Sequence, residues 1–152
     1  MWRFRSLCSS TVAPMAIVIV RQLHEDHIQD LCSLYRQTWW AADRTLREVR
    51  RMLDHSDIVV GLVDDRDERL VGFARVLTDS IYKAFLLDVM VVESRQGLGL
   101  GRYLMETVLH LPELDLVRDI QLHCPPDMVA FYEKWGFSTD LAGTLALRLR
   151  RT

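Results

Sequence analysis

Lysine is nearly missing: of the nineteen Lys and Arg residues only Lys83 and Lys134 are lysines. That reads as coding bias and carries no function. A basic excess is missing too. The formal net charge is −2, which lacks the field of a general nucleic-acid binder. Cysteine is scarce, with Cys8, Cys32 and Cys124 odd in number and far apart. No CxxC pair or Cys/His cluster offers zinc spacing, so no metal is expected and the thiols are expected to be reduced and cytosolic. No stretch approaches the ~20 apolar residues of a membrane span, so no membrane association is expected.

What is present suffices for a core. The chain has 152 residues, 49% of them hydrophobic, which fits one domain. Residues 1–14 stand apart, with Arg3, Arg5, several Ser and Thr, and no acid. A mitochondrial presequence has that composition. Met15 offers another reading, a start just before Ile17-Val18-Ile19-Val20 that leaves residues 1–14 as a misassigned or disordered extension. The domain is expected over residues 15–152. Its expected place is the cytoplasm, or the mitochondrion if the presequence reading holds.

Periodicity divides the rest. Strands are expected at 16–21, 57–63, 70–78, 83–92 and 117–123, from β-branched and apolar runs between polar breaks. Helices are expected at 25–36, from Thr45 onward, at 100–111 and at 126–134, from apolar stripes at helical spacing. Thr45 with Glu48 three residues later reads as a capping box. Asp64-Asp65-Arg66-Asp67-Glu68 reads as a solvated hairpin tip. Two further strands are expected around 136–139 and 144–150. The result is an α/β fold with a mixed, mostly antiparallel sheet flanked by helices.

The richest segment is Asp88 to Arg102, where a hydrophobic strand enters a glycine turn and a helix leaves it. A helix start carries unpaired N–H groups and partial positive charge. Glycines let those donors approach a phosphate without a Cβ in the way. A Rossmann G-x-G-x-x-G fails in both frames, because Arg102 and Leu104 occupy the last position. A Walker A loop fails at Arg102. What remains is Q-x-x-G-x-G, Gln96 to Gly101.

This turn, followed about thirty residues later by Phe131-Tyr132-Glu133-Lys134-Trp135-Gly136-Phe137, resembles the two motifs of the GNAT N-acetyltransferase superfamily. The resemblance covers roughly residues 16–150. It implies the GNAT fold, acetyl-CoA as co-substrate, and direct transfer of acetyl to an amine in a ternary complex. By the same resemblance the run Gln96, Gly97, Leu98, Gly99, Leu100, Gly101 and Arg102 holds the pyrophosphate, with Arg102 either adding charge near a phosphate or standing as a solvated helix residue. The backbone of Met90, Val91 and Val92 lines the pantetheine arm. By the resemblance Tyr132 binds the donor and protonates the departing thiolate, the other reading being a core aromatic with a satisfied hydroxyl. Many family members carry Asn seven residues before that Tyr; here Pro125 stands there, which puts that contact in doubt.

Deprotonating the amine falls to Asp88, as acceptor binder or base, or else Asp88 forms a structural ion pair with Arg75. His123 is the second candidate base. The family's acceptor loop matches Thr38 to Arg44. There Trp39 and Trp40 either wall the acceptor, with a cation–π surface for an amine, or serve as packing. Arg75 either binds an acceptor carboxylate or pairs with Asp88 or Asp79. The expected partner is a small-molecule or peptide amine, without nucleic acid, and a homodimer stays open. A catalytically idle acyl-CoA-binding or sensor module and a protein lysine or N-terminal acetyltransferase are the alternative readings.

Overall fold

A computed structural model of the chain describes residues 16–151. The expectations for residues 1–14 and for Cys8 lie outside the described residues. The sheet starts with β1 (Ile17–Val20). Two helices follow, α1 (Glu25–Arg36) and α2 (Leu46–Asp54). Thr45 caps α2 as expected: its side chain accepts from the Glu48 N–H, and the Glu48 carboxylate accepts from the Thr45 N–H. Then come β2 (Ile58–Asp64), β3 (Arg69–Thr78) and β4 (Lys83–Val91). The chain continues through α3 (Leu100–Leu109), β5 (Asp119–Leu122) and the short α4 (Val129–Tyr132).

The five strands lie in sequence order. The first four are antiparallel: short turns reverse the chain from β2 to β3 and from β3 to β4, and the α1–α2 pair connects β1 to β2. Only β4 and β5 run parallel, and α3 provides the crossover between them. The sheet is covered on both faces. On one, Leu100, Leu104, Met105 and Val108 of α3 pack on Ile58, Val60, Val76 and Leu86. On the other, Leu31, Leu34 and Tyr35 of α1 and Val49 of α2 pack on Val63, Phe73 and Met90.

Three expectations need correction. The two C-terminal strands do not form: after Trp135 no described residue joins the sheet. The alternation of Leu145, Leu147 and Leu149 is real, but alternation makes a strand only where a neighbouring strand accepts its N–H and C=O groups. The helix expected at 126–134 is broken into 3₁₀ turns at Pro126–Met128 and Glu133–Trp135 around the single turn of α4. The Asp64–Glu68 turn is not wholly solvated. Asp64 is fully buried and takes a two-pronged bond from Arg66 (2.9 and 2.7 Å) and an ion pair from Arg95 (2.9 Å). These guanidiniums hold its carboxyl well below the usual carboxylate range, the Arg66 hydrogen bonds being the main cause. Arg95 thereby ties the approach to the glycine turn to the end of β2.

Candidate active site

Gly97 and Gly99 both adopt left-handed backbone, φ +74° and +84°, and a Cβ added at either would meet nothing within 4 Å. The glycines therefore serve chain geometry and open space, not close internal packing. Gly99 is the N-cap of α3 and brings no side-chain cap. The first N–H of this segment to find an internal acceptor is that of Tyr103, on the Gly99 carbonyl (3.0 Å). The N–H groups of residues 97–102 find no backbone acceptor among the described residues. Six free donors at a helix start form an anion cradle, which fits the pyrophosphate of an acyl-CoA. Gln96 is spent differently. Its amide donates to the Val91 carbonyl (3.0 Å), so it pins the turn to the end of β4. Arg102 turns outward to Glu106 (2.8 Å).

Beside the cradle the sheet splits. β4 and β5 pair only from Lys83–Asp119 to Leu86–Leu122, while β4 runs on to Val91. Met90 and Val91 stay paired with β3 on their inner side, and the Val92 N–H donates to the Val71 carbonyl. Their outer edge faces no strand among the described residues. An extended pantetheine arm can add there as a strand would.

A β-bulge sits at the fork. Phe73 faces Met90 and Arg75 faces Leu87, so Ala74 opposes both Asp88 and Val89. Asp88 takes φ +54° to make this possible. Strict alternation would put Asp88 on the face of Ala84 and Leu86, in the α3 core. The bulge instead sends Val89 to that core and Asp88 to the opposite, α1 face.

On that face Asp88 is a hub. Its Oδ2 accepts from the Arg75 Nε (2.6 Å), the Tyr35 hydroxyl (2.7 Å) and the Arg44 Nη1 (3.1 Å). Arg44 lies between two rings, 4.5 Å from the Tyr35 centroid and 5.3 Å from that of Trp40. Burial, and next the Asp88 charge, push the Tyr35 hydroxyl above the ordinary phenol range. Arg44, Arg75 and Met52, with Asp43 and Glu48, line a cavity of about 410 Å³. The structure thus joins Asp88 to Arg75 and brings Trp40 to their edge. Trp39 stands apart at 86% exposure, against 43% for Trp40, and neither is a core residue.

Tyr132 approaches from the other face. It belongs to the α3 core, edge-on to Phe131 and Phe137, and lines a second cavity together with His123 and Cys124. Burial pushes its hydroxyl up to about 12, so it is a protonated phenol at neutral pH. His123 stacks edge-on against Phe85 at 4.9 Å, where β4 and β5 part. Pro125 closes the turn before α4 by accepting the Met128 N–H.

Sequence reasoning passed over Tyr35 and Arg44 as partners of Asp88. Tyr35 read as part of an apolar helix stripe. Its hydroxyl on a buried face was the signal that it needed a partner.

A run of unpaired N–H groups at a helix start, beside a β4 edge that pairs with no strand among the described residues, on a mixed five-stranded sheet, defines the fold class. The chain matches the family described as "Acetyltransferase (GNAT) family" over residues 22–137, and it belongs to that family. It is similar to a GNAT-family acetyltransferase structure from Xanthomonas campestris pv. campestris, with TM-score 0.77 and 31% identity, covering 89% of this chain and 94% of that one. It is 37% identical to "Uncharacterized N-acetyltransferase ycf52" of Porphyra purpurea over 66% of this chain and 59% of that protein. It is 40% identical to "Serotonin N-acetyltransferase 2, chloroplastic" of Oryza sativa subsp. japonica over 64% of this chain and 50% of that protein. The chain spans only about half to three-fifths of these two relatives' length. Among the described residues no helix is long and apolar enough to cross a membrane.

Proposed function

We propose that the chain is an acetyl-CoA-dependent N-acetyltransferase in which a neutral amine attacks the thioester directly within a ternary complex. The observation that carries this is the run of free N–H groups over residues 97–102, placed at the foot of the bare edge of β4. The cradle holds the pyrophosphate. The backbone of Met90 to Val92 aligns the arm toward the fork. A backbone N–H of this stretch polarises the acyl oxygen.

The acceptor amine enters from the α1–α2 face, through the cavity beneath Arg44 and Arg75. That cavity holds both signs of charge, Asp43 and Glu48 with the two arginines. It therefore suits an amine that also carries a polar or anionic group. The Arg75 side chain spends its Nε on Asp88 and makes no other side-chain hydrogen bond among the described residues, which leaves its Nη groups for the acceptor. Asp88 arranges these arginines. Three donors converge on its Oδ2, so that oxygen is not free to take a proton from the amine. Tyr132, on the opposite face, gives its phenolic proton to the departing sulfur; water takes the proton that the acylated amine nitrogen loses, and the tyrosinate is reprotonated from solvent. The reaction is assigned to a reducing aqueous compartment such as the cytoplasm, consistent with free Cys32 and Cys124. The chloroplastic name of the rice protein concerns that protein.

The test is release of free thiol from acetyl-CoA across amines, polyamines, amino acids and peptides, with calorimetry for donor binding. A Cβ at Gly101 would sit 3.5 Å from Phe131 Cζ, an ordinary contact, so Gly101→Glu should fold while placing a carboxylate at the cradle. Its acetyl-CoA affinity should fall at least ~tenfold, the scale of a misplaced charge. Unchanged affinity sinks the assignment. Donor binding without thiol release to any acceptor would favour an idle acyl-CoA-binding module.

A further inference from the structure

The glycine turn between β4 and α3 makes little packing of its own. A Cβ at Gly97 or Gly99 would meet open space, and Leu98 is exposed. Such a turn is held by its two ends. At one end α3 fixes it, since Leu100 and Leu104 are buried in the core. At the other end stands the 3₁₀ turn Glu93–Arg95. Among the described residues three contacts tie this end to the sheet. The Val92 N–H donates to the Val71 carbonyl (2.9 Å), and the Gln96 side-chain amide to the Val91 carbonyl (3.0 Å). The third is the ion pair of Arg95 with Asp64 (2.9 Å). It alone of the three reaches β2, two strands away from β4.

Asp64 is satisfied without Arg95. Arg66 meets both carboxylate oxygens, Nε on Oδ1 (2.9 Å) and Nη2 on Oδ2 (2.7 Å), and the Arg66 N–H adds a bond to Oδ1 (3.1 Å). These donors compensate the buried charge from within the hairpin turn itself. Arg95 gives up the rotamer freedom of a long side chain to join them. The ion pair therefore serves the Arg95 end of the contact more than the Asp64 end.

We propose that the Asp64–Arg95 pair is a positioning device for the donor, on the reading that residues 97–102 receive the acetyl-CoA pyrophosphate. Asp64, fully buried and clamped by Arg66, is the anchor. Arg95 grips it and holds the 3₁₀ turn so that the N–H groups that follow converge on one place before the donor arrives. Neither residue touches the ligand. Preorganisation of this kind lowers the ordering cost of binding. It matters most in a run such as Gly97 to Gly101, because glycine has the most backbone freedom to lose. Charge separates this role from direct contact. Removing the Asp64 anion would by electrostatics alone favour an anionic ligand, and it would free Arg95 to reach a phosphate. Positioning predicts the opposite, weaker binding, for Asp64→Asn and Arg95→Met alike.

The test titrates acetyl-CoA by calorimetry into the full chain and its Asp64→Asn, Arg95→Met and Arg66→Met variants, with amide exchange on the ligand-free proteins. Asp64→Asn and Arg95→Met should each weaken acetyl-CoA binding at least ~tenfold, the scale of one hydrogen bond to a charged group. Exchange should quicken at the N–H groups of residues 95 and 96, which bond to the Val92 and Glu93 carbonyls in the parent. Arg66→Met keeps the Arg95 pair, so it should lower Tm and leave acetyl-CoA affinity nearly unchanged. Tighter binding by Asp64→Asn overturns the proposal and makes Arg95 a phosphate ligand. Parent-like affinity in Arg95→Met overturns it too, as does an equal loss in all three variants, which is what general destabilisation gives. If Asp64→Asn does not fold, Arg95→Met against Arg66→Met decides by the same outcomes. A parent that binds no acetyl-CoA defeats the donor reading. Unchanged exchange at residues 95 and 96 in Arg95→Met defeats the positioning role separately.

Discussion

Asp88→Asn separates a charge hub from a catalytic base. Asn keeps the side-chain shape and tolerates the left-handed backbone at this bulge, so the substitution isolates the charge. In the parent the Asp88 side chain is 4% exposed, Arg75 12% and Arg44 29%. Removing the carboxylate strands two guanidiniums, and deleting one partner of a buried ion pair costs ~3–5 kcal/mol. Partial solvation of Arg44 places the expectation at the lower end, about 3 kcal/mol. At ~2–4 °C per kcal/mol for a domain of this size, Tm should fall by roughly 6–12 °C. Arg75→Met should also destabilise. The double variant should cost less than the two single losses together, by ~1–3 kcal/mol, because the residues share one network. Denaturant unfolding of the four proteins measures this, with kcat and acceptor KM followed against pH. The hub predicts lost stability and a raised acceptor KM. An Asp88→Asn chain within ~0.5 kcal/mol of the parent, the range of an ordinary surface change, whose kcat loses its acidic limb, would refute the reasoning and make Asp88 the base.

Tyr132→Phe should leave Tm nearly unchanged, because no hydrogen bond of the Tyr132 hydroxyl supports the fold among the described residues, while kcat drops ~10²–10⁴-fold, the usual worth of a positioned acid. Since burial raises this hydroxyl to about 12, its acid form persists through neutral and mildly alkaline solution. Its contribution to stability is complete below the ordinary phenol value of ~10 and fades as pH rises toward about 12; a parent rate that collapses at mildly alkaline pH would speak against this donor. Trp40→Ala removes one ring from the Arg44 stack and should raise acceptor KM several-fold with acetyl-CoA affinity intact, whereas Trp39→Ala should leave stability unchanged; equal weakening of both substrates by Trp40→Ala would indicate packing alone. Thr45→Ala removes the capping box of α2 and should cost ~1 kcal/mol, read as a Tm drop of ~2–4 °C without change in donor affinity.

The elements that depend on neighbours within a few residues were legible in the linear chain. Glu25–Arg36 shows a helical apolar stripe and folds as one helix. Thr45 and Glu48 cap each other because three residues separate them. The glycines at 97, 99 and 101 announced a cradle, since their effect is on the local backbone. What depended on distant parts of the chain was not legible. Asp88 finds Tyr35 and Arg44, 53 and 44 residues away, only because a bulge reverses the face that alternation assigns to it. Asp64 looked like part of a wet turn until Arg95 was folded against it. The Leu145–Leu149 alternation announced a strand that the single chain does not form. Side-chain period states which face a strand would bury, but the backbone partner that makes it a strand must come from elsewhere in space.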